Sequence, residues 1–334
     1  MRVRPATMPA VMWGPMMENR PTPLSALESR LPGAEGHFRR DHFDPPGIEE
    51  RGFALEVTGG DRELRLTMDE LRRLPRRELD VVLECAGHRR DEFDPPTAGL
   101  QWGIGAVAEA RWAGAALADV LAQVSFGADV TELALHGGDS GESELAPGIQ
   151  PYARSIPIAK ALDRDTLLVW EMDGAPLPPG HGAPLRAIVP GWYATDSVKW
   201  LRRIELLRGP FEGPFQALDY RWVDDDHPVP GVRMDDVPVH SVVTSVDDGQ
   251  ARGVAWGGGG IARVDVRIDD ERWHEATLEP GSGPYARTRW SLDLAAPVRS
   301  VAARATDVHG RNQPDRPAWN PGGYRNNSVH RVEL

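Results

Sequence analysis

The chain has 334 residues, enough for about two domains with full hydrophobic cores. Its 40% hydrophobic and 26% charged residues are typical of a soluble globular protein and exclude a collagen-like or largely disordered chain. A formal net charge of −12 argues against nucleic acid as the main partner, because phosphate binding needs a basic surface. The acidic surface would suit a basic protein partner, or it simply keeps the protein in solution.

Residues 1 to 36 are rich in proline and methionine and lack periodicity, which predicts an N-terminal arm. Pro5, Pro9 and Pro15 interrupt the first residues before the apolar core of a signal peptide can form. The sequence has no apolar run that reaches the roughly 18 residues of a membrane helix. We therefore expect a cytoplasmic protein without membrane association, or a periplasmic one if an export signal has been removed.

The next segments alternate between strand and helix patterns. Alternating apolar residues predict a strand over FALEV and a second one over RELRLT. Thr67 and Glu70 have capping-box spacing, which predicts that a helix begins at MDELRRL. The apolar run VVLEC predicts a buried strand that ends at Cys85. From Arg111, the segment WAGAALADVLAQV places apolar residues at helical spacing, which predicts a helix packed into the core.

Two segments are nearly identical, RRDHFDPP at 39–46 and RRDEFDPP at 89–96. Two copies are too few for a solenoid, so they predict two similar loops or a coincidence. The Gly- and Pro-rich segment RGPFEGPF marks a boundary between predicted domains at 37–209 and 210–334. Beyond it, SVVTSV, ARVDVRID, RWHEATLE and RSVAARATD read as short strands separated by turns, a pattern typical of an immunoglobulin-like β-sandwich.

Cys85 is the only cysteine, so an internal disulfide is impossible. Arg89 and Arg90 follow it closely, and such a cationic setting lowers a thiol pKa and favours the thiolate. Three interpretations stay open: a buried apolar residue, a nucleophile, or a ligand to a soft metal ion. The sequence has neither CxxC nor HExxH, so a zinc site built by protein ligands alone is not expected. A single thiolate becomes a good anchor if a cofactor supplies the other soft ligands.

The segment LECAGHRR around Cys85 resembles the Leu-x-Cys-Ala-Gly-Asn-Arg-Arg segment of the sulfite oxidase family, with His88 in place of the asparagine. Further segments resemble that family in the same order: FRRDH, WGIGAVAEARWAGA, YARSIP, HGAPLRAIVPG, SVKWL and WNPGGYRNNSVHRV. The resemblance covers residues 37–334. It implies an α+β fold, in which a mixed molybdopterin-binding catalytic domain is followed by an immunoglobulin-like dimerisation domain, and hence a homodimer.

The resemblance also implies roles for individual residues. Cys85 would bind molybdenum beside the pterin dithiolene, and Tyr152 would be the active-site tyrosine. Arg40 and Arg90 would bind an anionic substrate in a pocket walled by Trp102. The implied cofactor-binding residues are His42, Asp139, His181, Arg186, Ser197 and Lys199. Charge-assisted donors such as these suit a phosphorylated pterin, and the only other lysine in the chain is Lys160.

Two positions depart from the family's pattern. Gly322 and Asp196 stand where the family has arginines, so sulfite should bind less tightly unless Arg154 or Arg325 compensates. The implied activity is oxygen-atom transfer that oxidises sulfite to sulfate. Because the chain has no CxxCH haem motif, we expect no haem and an external electron acceptor such as a c-type cytochrome. The alternatives are turnover of another small oxyanion or a sulfoxide, an inactive binding or scaffold protein, and a metal-free cysteine enzyme.

Overall fold

The structure is a computed structural model that describes residues 17–295 and 297–334. Residues 1–16 of the predicted N-terminal arm lie outside the described residues. The α-helices are α1 (Leu24–Glu28), α2 (Gly33–Gly36), α3 (Met68–Arg72), α4 (Leu117–Leu121), α5 (Ile158–Ala161) and α6 (Pro214–Ala217).

The strands of the N-terminal two thirds of the chain precede the predicted domain boundary. They are β1 (Asn19–Arg20), β2 (Arg39–Arg40), β3 (Ala54–Thr58), β4 (Leu64–Thr67), β5 (Arg76–Glu84), β6 (Val107–Ala116), β7 (Glu132–Ser143), β8 (Ala146–Pro157), β9 (Leu167–Met172), β10 (Ala175–Pro176), β11 (Arg186–Ile188) and β12 (Leu201–Leu207).

The remaining strands follow that boundary. They are β13 (Arg221–Trp222), β14 (Val232–Arg233), β15 (His240–Asp247), β16 (Gln250–Trp256), β17 (Ile261–Ile268), β18 (Trp273–Glu275), β19 (Thr277–Glu279), β20 (Thr288–Asp293), β21 (Ser300–Asp307) and β22 (His330–Glu333).

Two five-stranded sheets form the N-terminal part of the fold. One has the order β10–β9–β6–β5 with β11 paired to β9, and the other has the order β4–β3–β12–β7–β8. Strand β12 runs parallel to β3 but antiparallel to β7, so the second sheet is mixed. Leu55, Leu71, Leu133 and Ile204 lie fully buried in the main core cluster of this part. The predicted mixed fold is confirmed.

Local sequence signals explain some of these elements. Helix α3 begins with the predicted capping box, in which the Glu70 backbone N–H donates to Thr67 Oγ1 and the Thr67 N–H donates to the Glu70 carboxylate. The helix predicted from Arg111 is wrong over its first half, because Arg111 to Ala116 continue strand β6. This strand lies between β5 and β9 and is almost entirely buried, so its side chains show no alternation of apolar and polar residues.

The near-identical segments at 39–46 and 89–96 adopt different structures, so the prediction of two similar loops is wrong. Arg39 and Arg40 form strand β2. In the second segment, Arg89 has a positive φ of 56° and precedes a 3₁₀ turn over Arg90–Glu92. Different partners decide the outcome, because β2 pairs with β1 whereas Arg89 and Arg90 bind backbone carbonyls of the C-terminal segment.

The C-terminal part is a β-sandwich of two four-stranded sheets, ordered β15–β16–β20–β19 and β18–β17–β21–β22. Val264, Val266, Trp290, Val301 and Ala303 fill the core between them. Val264 and Val266 come from alternate positions of β17, as the sequence pattern predicted. The sandwich is therefore confirmed. None of the helices in the described part of the chain has the length and hydropathy needed to cross a membrane.

Candidate active site

A cavity opens where the strands β2, β5, β8 and β11 and the loop before β12 meet. Most of the predicted site residues line it, namely Arg40, His42, Cys85, Asp139, Tyr152, His181, Arg186, Ser197 and Lys199. The fold thus brings together side chains that lie up to 159 positions apart in the chain, from Arg40 to Lys199.

Cys85 follows the last residue of β5 and is buried at the cavity wall. Its backbone N–H donates to Ala106 O at 2.9 Å, and its carbonyl accepts the His88 N–H at 2.9 Å. Burial raises the pKa of the Cys85 thiol, and the nearby charges of Arg40 and Arg90 do not overcome it. The lowered pKa expected from the cationic sequence is therefore wrong for the protein alone. A bound metal ion stabilises a thiolate in such surroundings, whereas a free nucleophile would stay protonated.

A buried carboxylate holds the cationic side of the cavity together. Asp41 binds Lys199 Nζ, and Arg39 Nη2 lies 2.7 Å from Asp41 Oδ2. Burial lowers the pKa of Lys199 to about 8, although Asp41 acts in the opposite direction. Asp139 also lines the cavity, and burial raises its pKa to about 7. The site therefore contains groups that change charge near neutral pH.

Arg186 has a fixed orientation on β11. Its Nη1 donates to His181 O at 2.9 Å, its Nη2 donates to Ser197 O at 3.0 Å, and its guanidinium lies 4.8 Å from the Trp112 ring centroid. Burial lowers its pKa to about 9. The Ser197 hydroxyl accepts the Val189 N–H at 3.0 Å, and His181 Nε2 donates to a backbone carbonyl. These bonds fix the donors before any ligand binds.

An aromatic group forms another part of the lining. The His42 ring stacks on Tyr152 with centroids 4.7 Å apart, and its Nε2 lies 2.6 Å from Tyr220 Oη. Tyr152 Oη donates to Thr195 O at 2.8 Å. Burial lowers the pKa of His42 and raises the pKa of Tyr152, so both side chains are neutral at neutral pH.

Arg90 and Trp102 are not among the cavity-lining residues. Arg90 Nε donates to Gly323 O at 3.2 Å and Nη1 donates to Leu100 O at 3.1 Å, so the guanidinium is held between the C-terminal segment and the loop at Leu100. Trp102 packs in the apolar cluster that contains Cys85, behind the wall rather than on it. A direct contact of these two side chains with a substrate in this cavity is therefore not supported.

Neither arginine expected to compensate for Gly322 and Asp196 is available to the cavity. Arg154 and Asp196 form a fully buried ion pair with Nε and Oδ1 2.9 Å apart. Arg325 lies 5.5 Å from the Trp222 ring centroid, outside the cavity lining. These contacts do not support compensation by either arginine, because Asp196 neutralises the Arg154 guanidinium and Arg325 lies outside the cavity lining.

Several lining residues were not predicted from the sequence, among them His37, Phe38, Arg39, Gly180, Thr195, Trp200 and Tyr220. Arg39 and Phe38 belong to the FRRDH segment, so their neighbours carried a signal. Tyr220 carried none, because it lies beyond the predicted boundary at residue 210 and no motif surrounds it.

The C-terminal part of the chain holds the loop that carries Cys85. The Arg325 N–H donates to Ala86 O at 3.2 Å, and Asn326 Nδ2 donates to Arg89 O at 2.9 Å. His88, which stands where the family has asparagine, lies edge-on to Trp256 with centroids 5.6 Å apart. The loop is thus packed between the two parts of the fold.

Comparisons with known proteins agree with this geometry. Residues 42–215 match the oxidoreductase molybdopterin binding domain, and residues 234–334 match the Mo-co oxidoreductase dimerisation domain. The chain is 37% identical over 353 residues to sulfite oxidase of Gallus gallus, across 94% of this chain and 75% of that protein. The chain belongs to the sulfite oxidase family.

Two further similarities extend the comparison. Mitochondrial sulfite oxidase of Rattus norvegicus is 35% identical over 353 residues, and the match covers 94% of this chain. This chain spans only 63% of that relative's length. The solved structure of the sulfane dehydrogenase SoxCD from Paracoccus pantotrophus matches with a TM-score of 0.81 and 26% identity, over 97% of this chain and 86% of that chain.

The cavity of this sulfite oxidase family member fits a molybdenum–molybdopterin cofactor. Arg186 Nε, His37 Nε2 and Asp139 Oδ1 are buried in it without a hydrogen-bond partner in the described protein. Buried polar atoms without partners are costly, and a pterin with its own donors and acceptors would satisfy them. Cys85 would add one soft ligand for a metal ion whose other soft ligands would come from the cofactor.

Proposed function

We propose that the protein is a molybdenum-dependent oxidoreductase that converts sulfite to sulfate by oxygen-atom transfer and passes the electrons to an external acceptor. The observation that carries this proposal is the shared cavity of Cys85, Arg40 and the buried donors Arg186 and Lys199. It combines a soft metal ligand, a cation for an anionic substrate and donors for a phosphorylated pterin.

The proposed roles follow from the contacts. When bound, the molybdenum cofactor supplies the oxygen-atom transfer and accepts two electrons. Cys85 would hold the metal ion as a thiolate, while Arg186, Lys199 and His181 would bind the pterin and its phosphate. Arg40 would attract and orient the anionic substrate. The Tyr152 hydroxyl keeps its proton because burial raises its pKa, so it acts as a hydrogen-bonding group rather than a base.

Elemental analysis and turnover test the proposal together. Protein expressed with ample cofactor is expected to contain about one molybdenum per chain and to reduce ferricyanide in the presence of sulfite. Cys85→Ser is expected to lose most of the metal and all turnover while keeping its circular-dichroism spectrum. Molybdenum-loaded wild-type protein without sulfite activity would falsify the assigned substrate. Wild-type protein that never takes up molybdenum would instead support an inactive scaffold protein, and alkylation of Cys85 without metal loss would support a metal-free cysteine enzyme.

A small c-type cytochrome is the proposed electron acceptor, because the net charge of −12 favours docking of a basic partner. The rate of cytochrome reduction should then fall as ionic strength rises. A rate independent of salt would contradict the electrostatic part of the proposal. The match of residues 234–334 to a dimerisation domain supports a homodimer, which light scattering tests directly.

A second candidate function is turnover of a neutral sulfoxide or another small oxyanion. The buried Arg154–Asp196 pair favours it, because Asp196 removes a positive charge that sulfite would use. The structural similarity to a sulfane dehydrogenase supports a sulfur substrate other than sulfite in this fold. Steady-state assays with sulfite and with dimethyl sulfoxide separate the two candidates.

A further inference from the structure

A layer of aromatic and acidic side chains stands beside the cavity, behind Tyr220. We call Tyr220, Tyr324 and Asp219 the aromatic–acidic wall. The two tyrosine rings stack with centroids 5.6 Å apart and an interplanar angle of 28°. Tyr324 Oη donates to Asp219 Oδ1, which also accepts the Tyr220 N–H at 2.7 Å. Because Tyr220 lines the cavity, the wall connects the part-buried Asp219 carboxylate to the site.

The backbone around residue 322 is built to hold the Tyr324 ring. A Cβ atom added to Gly322 would lie 2.3 Å from Tyr324 Cε2, so the ring fills the space that any side chain there would need. Asn320 fixes the turn, since its Oδ1 accepts the Tyr324 N–H at 3.0 Å and its Nδ2 donates to Tyr324 O at 2.8 Å. The Tyr324 ring therefore excludes any side chain at residue 322, and glycine is the residue that fits there.

The same arrangement holds Arg90 away from the cavity. The Arg90 guanidinium lies 5.0 Å from the Tyr324 ring centroid. Added Cβ atoms on Gly87 and Gly99 would lie 2.6 Å and 2.7 Å from guanidinium atoms of Arg90. The absence of side chains at these two glycines therefore makes room for the guanidinium. With its bond to Gly323 O, the guanidinium is buried and satisfied outside the cavity lining.

The cations that do line the cavity are mostly engaged. Arg39 and Lys199 share Asp41, and Arg186 binds two backbone carbonyls. Arg40 makes its side-chain bonds to Asp41 O and to Asn19 Oδ1, both uncharged acceptors, and it acts on the Cys85 thiol electrostatically. Among these lining cations, Arg40 and Arg186 thus have no carboxylate partner in the described part of the chain, and the charge of Arg40 acts on the Cys85 thiol.

We infer that Tyr324 and Asp219 determine substrate selectivity, by keeping Arg90 out of the cavity and adding negative charge beside it. The site then prefers neutral or singly charged sulfur substrates and disfavours dianions such as sulfate. This inference rests on the proposed oxygen-atom transfer, of which it specifies the substrate class.

Sulfate, neutral dimethyl sulfoxide and the molybdenum-loaded enzyme provide the test. Asp219→Asn keeps the shape of the side chain and removes its charge. We expect it to lower the Kd of sulfate and the KM of sulfite by roughly fivefold, the effect of one partly screened charge, with kcat changed less than twofold. The KM of dimethyl sulfoxide should stay the same, because a neutral molecule does not respond to that charge.

Asp219→Glu retains the charge and should bind sulfate like the wild type. Asp293→Asn makes the same charge change at the end of β20 in the sandwich, away from the cavity lining, and should leave every constant unchanged. Tyr324→Phe keeps the ring but removes the hydroxyl that donates to Asp219, so the Asp219 charge is less compensated and sulfate binding should weaken by about twofold.

Equal shifts for sulfate and dimethyl sulfoxide, or no shift for either, would overturn the inference. An effect of Asp293→Asn as large as that of Asp219→Asn would also overturn it, because it would reveal a general charge effect. Sulfate binding needs no turnover, so its result separates the two proposals. Tighter sulfate binding by Asp219→Asn in an enzyme that does not oxidise sulfite would refute the proposed substrate and uphold the selectivity.

Discussion

The indole Nε1 of Trp256 donates a hydrogen bond of 2.6 Å to Oε2 of Glu84, the residue immediately before Cys85. Trp256 ends strand β16 of the sandwich, and Glu84 ends strand β5 of the N-terminal part. Both side chains are buried, and the His240 ring stacks on Trp256 with centroids 4.9 Å apart. The sandwich therefore helps to position the proposed metal ligand in addition to packing its own core.

Trp256→Phe removes the donor and keeps most of the ring. It leaves the Glu84 carboxylate short of a partner, so the free energy of unfolding should fall by about 1–3 kcal/mol. Molybdenum content per chain should fall as well, because the loop at Cys85 loses an anchor. Glu84→Gln serves as the control, since its amide oxygen can still accept from Trp256. If Trp256→Phe matched the wild type in both denaturant unfolding and metal content, the contact would have no positioning role.

The Arg154–Asp196 pair is fully buried, so removing Asp196 leaves the Arg154 charge unpaired, and removing Arg154 leaves Asp196 with only Arg233, 3.9 Å away. Arg154→Met and Asp196→Asn should each cost about 3–5 kcal/mol of unfolding free energy. The double variant Arg154→Met/Asp196→Asn, which combines the same two substitutions, should cost clearly less than the sum of the two. Urea unfolding of the three variants checks this, and additive losses would mean that the two side chains do not interact.

The raised pKa of Asp139 should make the stability of the cofactor-free protein depend on pH. Burial raises its pKa to about 7 in the folded protein, whereas an unfolded aspartate has a pKa of about 4. The folded state therefore binds the proton more tightly, and stability falls as the pH rises from about 4 to about 7. Asp139→Asn should reduce the loss between pH 5 and pH 8 by about 2–4 kcal/mol. Unfolding curves at both pH values measure it; an unchanged loss would place the titration on another group.

Arg186→Lys tests the proposed pterin contacts. A lysine cannot reproduce the forked bonds to His181 O and Ser197 O, although it keeps a positive charge. We expect the content of molybdenum and of fluorescent pterin to drop at least tenfold, the size seen for lost supporting contacts at metal sites. Arg164→Lys, which changes an exposed arginine paired with Asp119, is the matched control. Full cofactor content in Arg186→Lys would argue against a direct pterin contact.

Local signals and collinear motifs allowed much of the fold to be predicted. Thr67 and Glu70 identified a helix start because a capping box involves only neighbouring residues. The strand before Cys85 was evident from its apolar run, and the alternation at Val264 and Val266 identified the sandwich. The helix predicted from Arg111 failed because a strand buried on both faces has no alternation to distinguish it from a helix.

The site was predictable where a residue type is rare or sits in a motif, as with Cys85 and Lys199. It was not predictable where long-range packing decides a side chain's direction. Arg90 has the expected position in the sequence, yet its guanidinium packs on the ring of Tyr324, 234 positions later, and not on the cavity lining. Burial likewise reversed the expected direction of the pKa shift of Cys85, because sequence shows charge but not exclusion of water.

The bonds from Arg325 and Asn326 to the loop at Cys85 have a consequence for biosynthesis. These residues leave the ribosome more than 230 positions after the loop they hold, as the separation of 237 between Asn326 and Arg89 requires. A nascent chain that has not reached them has its first sheets but an unsupported loop. Cofactor capture should then follow the synthesis of Arg325 and Asn326, and contacts between residues so far apart in the chain should slow the folding step that orders the loop.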